Sequence, residues 1–174
     1  VGFGPFFILN MLITRPATQF DIELIQKLAK ISWEDTYEKI LSKEQLEYML
    51  NMMYSEHAIL EHFQNPNYHY FLIFDDETPL GFVGFEHHLE PNTTKLHRIY
   101  LVPEAKGKGA GKAGLELVKT HAKAASDSRI ILTVNMHNAS QDFYKYMGFT
   151  VYEQGSFCIG EGYTMDDYLM ELYL

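Results

Sequence analysis

The segment KLHRIYLV, the loop Lys106-Gly107-Lys108-Gly109-Ala110-Gly111-Lys112 and the amphipathic stretch that follows constrain this chain more than any other feature. A β-prone run feeds a glycine-rich turn, and the turn opens a helix expected from about Lys112 to Ala125. Glycines there let backbone N–H groups converge on a ligand, because no Cβ blocks close approach. The helix start adds unpaired donors and partial positive charge. Lys106, Lys108 and Lys112 add full charges. The chain as a whole carries 14 Lys and Arg against 23 Asp and Glu, so this basic island stands out and points to a bound phosphate. The bland alternative is a flexible turn with solvated lysines.

Two phosphate motifs can be tested and fail. A P-loop needs Ser or Thr after its Gly-Lys to hold magnesium, and Ala113 follows Lys112. GAGKAG, from Gly109 to Gly114, fits the dinucleotide fingerprint as a string. That fingerprint belongs beside the first strand of a doubly wound sheet, whereas several elements precede it here.

The remaining pattern supplies those elements. Leu12 to Thr14 is β-prone and stopped by Pro16. Thr18 or Asp21 can cap a helix whose apolar face runs through Ile22, Ile25, Leu28 and Ala29. SKEQ, from Ser42, has capping-box form and opens a second helix through Leu46, Met49, Leu50 and Met53. A short third helix covers Glu56 to Phe63. HYFLIFDD and GFVGFEHHLE flank the turn ETPLG and predict a hairpin. RIILTVN has the continuous apolar core of a strand buried on both faces. Ser140 to Met147 reads as a short helix closed by Gly148, and the tail reads as two strands around a Gly-rich connection. The order predicts a mixed α/β domain: a central, mostly antiparallel twisted sheet of six to seven strands with helices on both faces. One domain is expected over residues 11–174. Residues 1–10, VGFGPFFILN, are expected to be an extension, since they lack the basic start and cleavage site of a secretory signal.

A net charge of −9 makes the chain a poor general binder of nucleic acid or anionic membrane and favours a cationic partner. No apolar run is long enough to span a bilayer. Cys158 is the single cysteine, which excludes an internal disulfide and suits a reducing, cytoplasmic setting. Its apolar-aromatic surroundings predict a buried, inert thiol. Adjacent His87 and His88 should point to opposite faces of a strand, a poor chelate, so no metal is expected and exposed strand-edge histidines are the bland reading.

LHRIYLVPEAKGKGAGKAGLELV resembles the cofactor-binding motif of the GNAT N-acetyltransferase superfamily: a strand, Gln or Arg, two residues, Gly, any residue, Gly or Ala, then a helix. Lys106 stands in the Gln/Arg place, and Gly109 and Gly111 are the two glycines. LTVNMHNASQDFYKYMGF resembles the later motif, a strand, an Asn, a short helix with a Tyr and a closing Gly-Phe. ISWEDTYEKILSKEQLEYML, LHRIYLVPE and YTMDDYLMELYL are more narrowly similar to bacterial polyamine N-acetyltransferases of the Pai type. The resemblance implies a GNAT-like fold, acetyl-CoA as cofactor, and direct transfer of acetyl to a primary amine. The implied acceptor is a small cationic amine such as a polyamine, with a homodimer as the candidate assembly. The alternatives are a protein N-terminal or lysine acetyltransferase and a non-catalytic acyl-CoA-binding module.

Carried over residue by residue, the resemblance implies that the pantetheine arm pairs with backbone at Ile99 and Leu101, beside Val102. The Ile99 N–H would steady the oxyanion. Lys106, Gly107, Lys108, Gly109, Ala110, Gly111 and Lys112 would hold the pyrophosphate. Tyr144 matches the general acid. Asn138 matches the cofactor-contacting Asn, but the stretch to Tyr144 is one residue shorter than usual, which leaves His137 as an alternative. The family's base, a Glu early on the strand, is replaced by Lys95, which cannot accept a proton while charged. His97 and Glu86 are the nearby candidates, with His87 and His88 behind them. Trp33, Tyr37, Tyr48 and Tyr54 fall on the helices implied to wall the acceptor site, where aromatics can hold a cation; core packing is the other reading of each.

Overall fold

A computed structural model describes residues 12–174; the expected extension over residues 1–10 lies outside the described residues. The elements in chain order are β1 (Leu12–Pro16), α1 (Ile22–Tyr37), α2 (Lys43–Tyr54), α3 (Glu56–Gln64), β2 (Tyr68–Asp75), β3 (Thr78–Glu90), β4 (Thr93–Leu101), α4 (Ala110–Ala124), β5 (Arg129–Asn135), α5 (Ser140–Tyr146), β6 (Thr150–Gly160) and β7 (Tyr163–Tyr173). Local chemistry sets several of the starts. Thr18 and Asp21 form a capping box on a 3-10 turn ahead of α1. The Ser42 hydroxyl accepts from the Gln45 N–H at 3.1 Å and starts α2. Gly109 takes a left-handed conformation, φ +76°, and starts α4 at Ala110, two residues earlier than the sequence pattern implies.

The seven strands form one sheet in the order β1-β2-β3-β4-β5-β7-β6, and every pair is antiparallel except β4 with β5. Consecutive β4 residues face opposite layers. The Tyr100 ring lies 5.7 Å from that of Trp33 on α1. A Cβ on Gly114 of α4 would meet Ile99 Cδ1 at 3.0 Å. Glycine at 114 therefore lets α4 sit close on the sheet. Leu72, Phe82, Leu115 and Ile130 are fully buried between the layers.

The feature that matters for the site is where β4 and β5 part. They pair only from Thr93–Arg129 to Leu96–Leu132. There β4 bulges: Leu96 faces Phe85 and Arg98 faces Gly84, so His97 has no partner on β3. β5 continues alongside β7 up to Asn135 opposite Asp167. Beyond the bulge, Ile99 and Leu101 keep β3 on one side and have no strand on the other.

Two sequence expectations are corrected. Cys158 is exposed, because β6 is an edge strand and its apolar-aromatic stretch is largely uncovered. His87 is buried, not exposed. His88 leaves strand conformation, with φ +57°, where the β3–β4 register breaks, so strict alternation fails. Both histidines lean on Asp127: His88 Nδ1 lies 2.8 Å from Oδ1, and His87 reaches the other oxygen through the Thr94 hydroxyl.

Candidate active site

The glycine loop and the start of α4 form one wall of a hollow of about 600 Å³. Ile99, Leu101 and Val102 from the end of β4 line it, as do Lys106, Gly107, Gly109, Ala110, Gly111 and Lys112. Ser140, Phe143 and Tyr144 on α5 close the opposite side, and Asp35 on α1 borders it. Gly107 and Gly109 have φ of +77° and +76°, with nothing within 4 Å of where a Cβ would stand. That open space is at the loop's surface, where a phosphate can approach the backbone. Lys106 and Lys112 make no ion pair among the described residues. Lys108 behaves differently: its ammonium is bound to the Asp75 carboxylate, so its charge is already compensated.

A narrower cavity of about 160 Å³ occupies the gap between β4 and β5 and shares Ile99, Leu101, Ser140 and Tyr144 with the larger hollow. Tyr144 therefore borders both. Its burial, with Tyr37 nearby, pushes the phenol well above its ordinary pKa, so the hydroxyl keeps its proton at neutral pH. Asn138 lines the gap with both ends of its amide engaged. Oδ1 accepts from the Ser140 N–H at 2.8 Å, and Nδ2 donates to the Tyr37 hydroxyl at 3.3 Å. The amide thus ties α1 to the start of α5. His137 is exposed and lines neither cavity.

On the α1–α2 side of the sheet lies a third hollow, about 260 Å³. It shares Tyr37, His97 and Tyr100 with the gap and adds Trp33, Met49 and Asp167. Tyr48 and Tyr54 do not line it: Tyr48 donates to the Ile159 carbonyl at 3.0 Å, and Tyr54 is buried beneath Arg98, whose guanidinium lies 5.0 Å from its ring. Burial, with Lys95 and Arg98 nearby, pulls the His97 imidazole down to about 4, although Glu86 works against it. His97 Nε2 lies 3.0 Å from one Glu86 oxygen, and Asn65 donates to the other at 2.9 Å. An ionised carboxylate can only accept, so Nε2 carries the hydrogen and Nδ1 keeps a free lone pair. Lys95 borders the same hollow.

Asp167 and Arg98 are absent from the expected site residues. Arg98 is buried and donates to the hydroxyls of Tyr68 and Tyr70. Asp167 has one carboxylate oxygen buried without a hydrogen-bond partner among the described residues. An adjacent aspartate pair inside the strand YTMDDYLMELYL is the signal that could have drawn attention to it, since Asp is depleted in strands.

The pattern of the Acetyltransferase (GNAT) family matches residues 25–149, most of the chain. The chain belongs to this family. It is an N-acetyltransferase, and acetyl-CoA is the donor that GNAT enzymes use. A spermidine N(1)-acetyltransferase from Thermoplasma acidophilum is 28% identical over 155 residues, covering 87% of this chain and 90% of the relative. The crystal structure of PaiA N-acetyltransferase from Thermoplasma acidophilum in complex with coenzyme A superposes with a TM-score of 0.81 at 27% identity, over 94% of this chain and 99% of that one. The ribosomal-protein-S18-alanine N-acetyltransferase of Escherichia coli shares the fold, with a TM-score of 0.71 at 16% identity over 94% of each chain.

The GNAT donor fits what this chain presents. Two left-handed glycines and two uncompensated lysines suit a pyrophosphate. The unpaired edge of β4 at Ile99 and Leu101 suits an amide-bearing arm lying alongside it. Among the described residues no cluster of three or more His, Cys, Asp or Glu could hold a metal, and no helix is long and apolar enough to cross a membrane.

Proposed function

We propose that this GNAT enzyme acetylates a primary amine of a small cationic acceptor such as a polyamine, by direct attack and without a covalent enzyme intermediate. The observation that carries the reading is the continuity of the two sides. The loop-lined hollow and the aromatic hollow meet through the β4–β5 gap, and Tyr144 stands at the junction on the donor side. Acetyl-CoA, when bound, supplies a thioester acetyl group and a thiolate as leaving group. The basic loop from Lys106 to Lys112 would hold the pyrophosphate, and the free edge of β4 from Ile99 to Val102 would orient the arm, with the Ile99 N–H as the donor to the carbonyl oxygen. Tyr144, kept protonated by burial, gives its proton to the departing sulfur.

The amine reaches the site charged and must lose a proton before its lone pair can attack. His97 is neutral at physiological pH, and its free Nδ1 with Glu86 behind it is the route for that proton. A base held near 4 is weak, so the deprotonated fraction of the amine controls the rate. Trp33, Tyr37 and Tyr100 give the cation aromatic walls. The chain's net charge of −9 and its likeness to a spermidine acetyltransferase support a cationic acceptor.

The test is thiol release from acetyl-CoA against spermidine, amino sugars and short peptides. Spermidine should give the highest kcat/KM, with the rate rising with pH and acceptor KM rising with ionic strength. Preference for neutral, acidic or peptide acceptors overturns the polyamine reading.

A further inference from the structure

On the acceptor side the one acidic group lining the aromatic hollow makes no ion pair among the described residues. Asp167 sits on β7 opposite Asn135, at the end of the β5–β7 pairing, and its side chain borders the aromatic hollow with Trp33, Tyr37, His97 and Tyr100. One of its carboxylate oxygens is buried and unpartnered. Leaving a buried acceptor unmade is costly, and more so for a charged one. The neighbours do little to relieve it. The Asn135 side chain favours the charged form, but burial and the nearby Asp166 charge oppose it, and the balance raises the carboxyl above its ordinary pKa. Arg98 is engaged with tyrosines. Lys95 borders the same hollow from β4, two strands from β7 and so about 10 Å across the sheet. Burial raises the Tyr37 phenol above its ordinary pKa, and the Asp167 charge adds to that while the Asn138 hydrogen bond opposes it.

We propose that Asp167 binds the non-reacting ammonium of a di- or polyamine, so that the enzyme selects acceptors carrying a second positive charge. The inference rests on the cationic-amine reading above and adds the residue that does the selecting. The geometry is ordered along the hollow. The reacting amine lies at the β4–β5 gap, near Ile99 and Tyr144. The carbon chain runs past Tyr37 and Tyr100, and the distal ammonium meets the Asp167 carboxylate, with Trp33 and Tyr37 lining the same hollow. A monoamine can fill the gap and leave Asp167 uncompensated.

The experiment compares 1,4-diaminobutane with n-butylamine, which differ by one ammonium, as acceptors for the full-length enzyme. In Asp167→Asn the diamine KM should rise roughly tenfold or more with kcat held within about threefold, while the n-butylamine KM moves less than about twofold. Asp167→Glu, which keeps the charge, should retain the preference for the diamine. Equal losses for both amines, or unchanged KM values, overturn the role. A readout without mutation is the 13C resonance of the Asp167 carboxyl. Its titration midpoint should fall when the diamine is added and stay put with n-butylamine; a midpoint the diamine leaves in place also overturns the proposal. Failure of the underlying reading looks different: the unmodified enzyme would then acetylate neither spermidine nor the diamine.

Discussion

Tyr144 and Tyr146, two residues apart on α5, end on opposite sides of that helix: Tyr144 is 7% exposed and borders the donor cavities, whereas Tyr146 is 85% exposed. A step of two residues rotates a side chain by about 200°, so one can reach the reacting centre and the other cannot. Tyr144→Phe should therefore lower kcat by about 10²–10⁴-fold, the usual range for general acid catalysis, with acetyl-CoA binding retained. Tyr146→Phe should leave kcat unchanged. Steady-state kinetics with calorimetry of donor binding checks both; damage from Tyr146→Phe alone would move the acid role off Tyr144.

The loop makes a graded prediction about donor affinity. Gly109→Val forces a β-branched residue into φ +76° and should weaken acetyl-CoA binding by about tenfold or more. A Cβ at Gly111 would meet Phe143 Cζ at 3.4 Å, an ordinary contact, so Gly111→Ala should fold normally and isolate the effect of bulk at the phosphate site. Lys112→Ala should cost affinity by about threefold or more, lessening as salt is raised. Lys108→Ala should cost less, because that charge is already paired with Asp75. Calorimetry on the set tests the ranking, and an equal loss at Lys108 and Lys112 would refute it.

Four histidines tie stability to pH. His62, His87 and His97 are each pulled down to about 4 from an ordinary 6.5, with burial the largest cause in every case. Between those values the unfolded chain binds protons that the folded one does not. Stability is therefore whole above about pH 6.5 and falls as pH drops toward 4. Asp167, held above its ordinary value, has the opposite sign and is lost as pH rises through its folded value. His69 is also lowered, chiefly by burial, and acts in the same sense as the other histidines. With four histidines against one carboxyl, Tm at pH 4.5 should lie about 5 °C or more below Tm at pH 7. Thermal melts in both buffers decide it, a flat profile counting against neutral buried histidines.

Cys158 is exposed on an edge strand and lies outside the three cavities that make up the site. A thiol reagent should titrate one group in the folded protein. Cys158→Ser should keep kcat within about twofold, because direct attack by the amine needs no enzyme nucleophile. A collapse of activity in that variant would argue for an acyl-enzyme.

Much of this protein is legible from short stretches of sequence. The order of strands and helices follows from periodicity and turn residues, the start of α2 from Ser42, and the basic glycine loop from glycines and lysines placed between a strand and a helix. The likeness to GNAT motifs pointed to Tyr144, whose burial at the gap the fold supplies. These are local matters, decided by residues within a few positions of one another. The parting of β4 and β5 is not local: it depends on where the β4 bulge falls against β3 and on β5 staying with β7. Nor are the bond from Asn138 to Tyr37, 101 residues away, the meeting of His87 and His88 at Asp127, or the uncompensated Asp167 facing the aromatic hollow. One residue of strand register turns a side chain from one face of the sheet to the other. Which polar groups end up buried together, and which is left without a partner, was therefore decided only when the distant strands and helices packed.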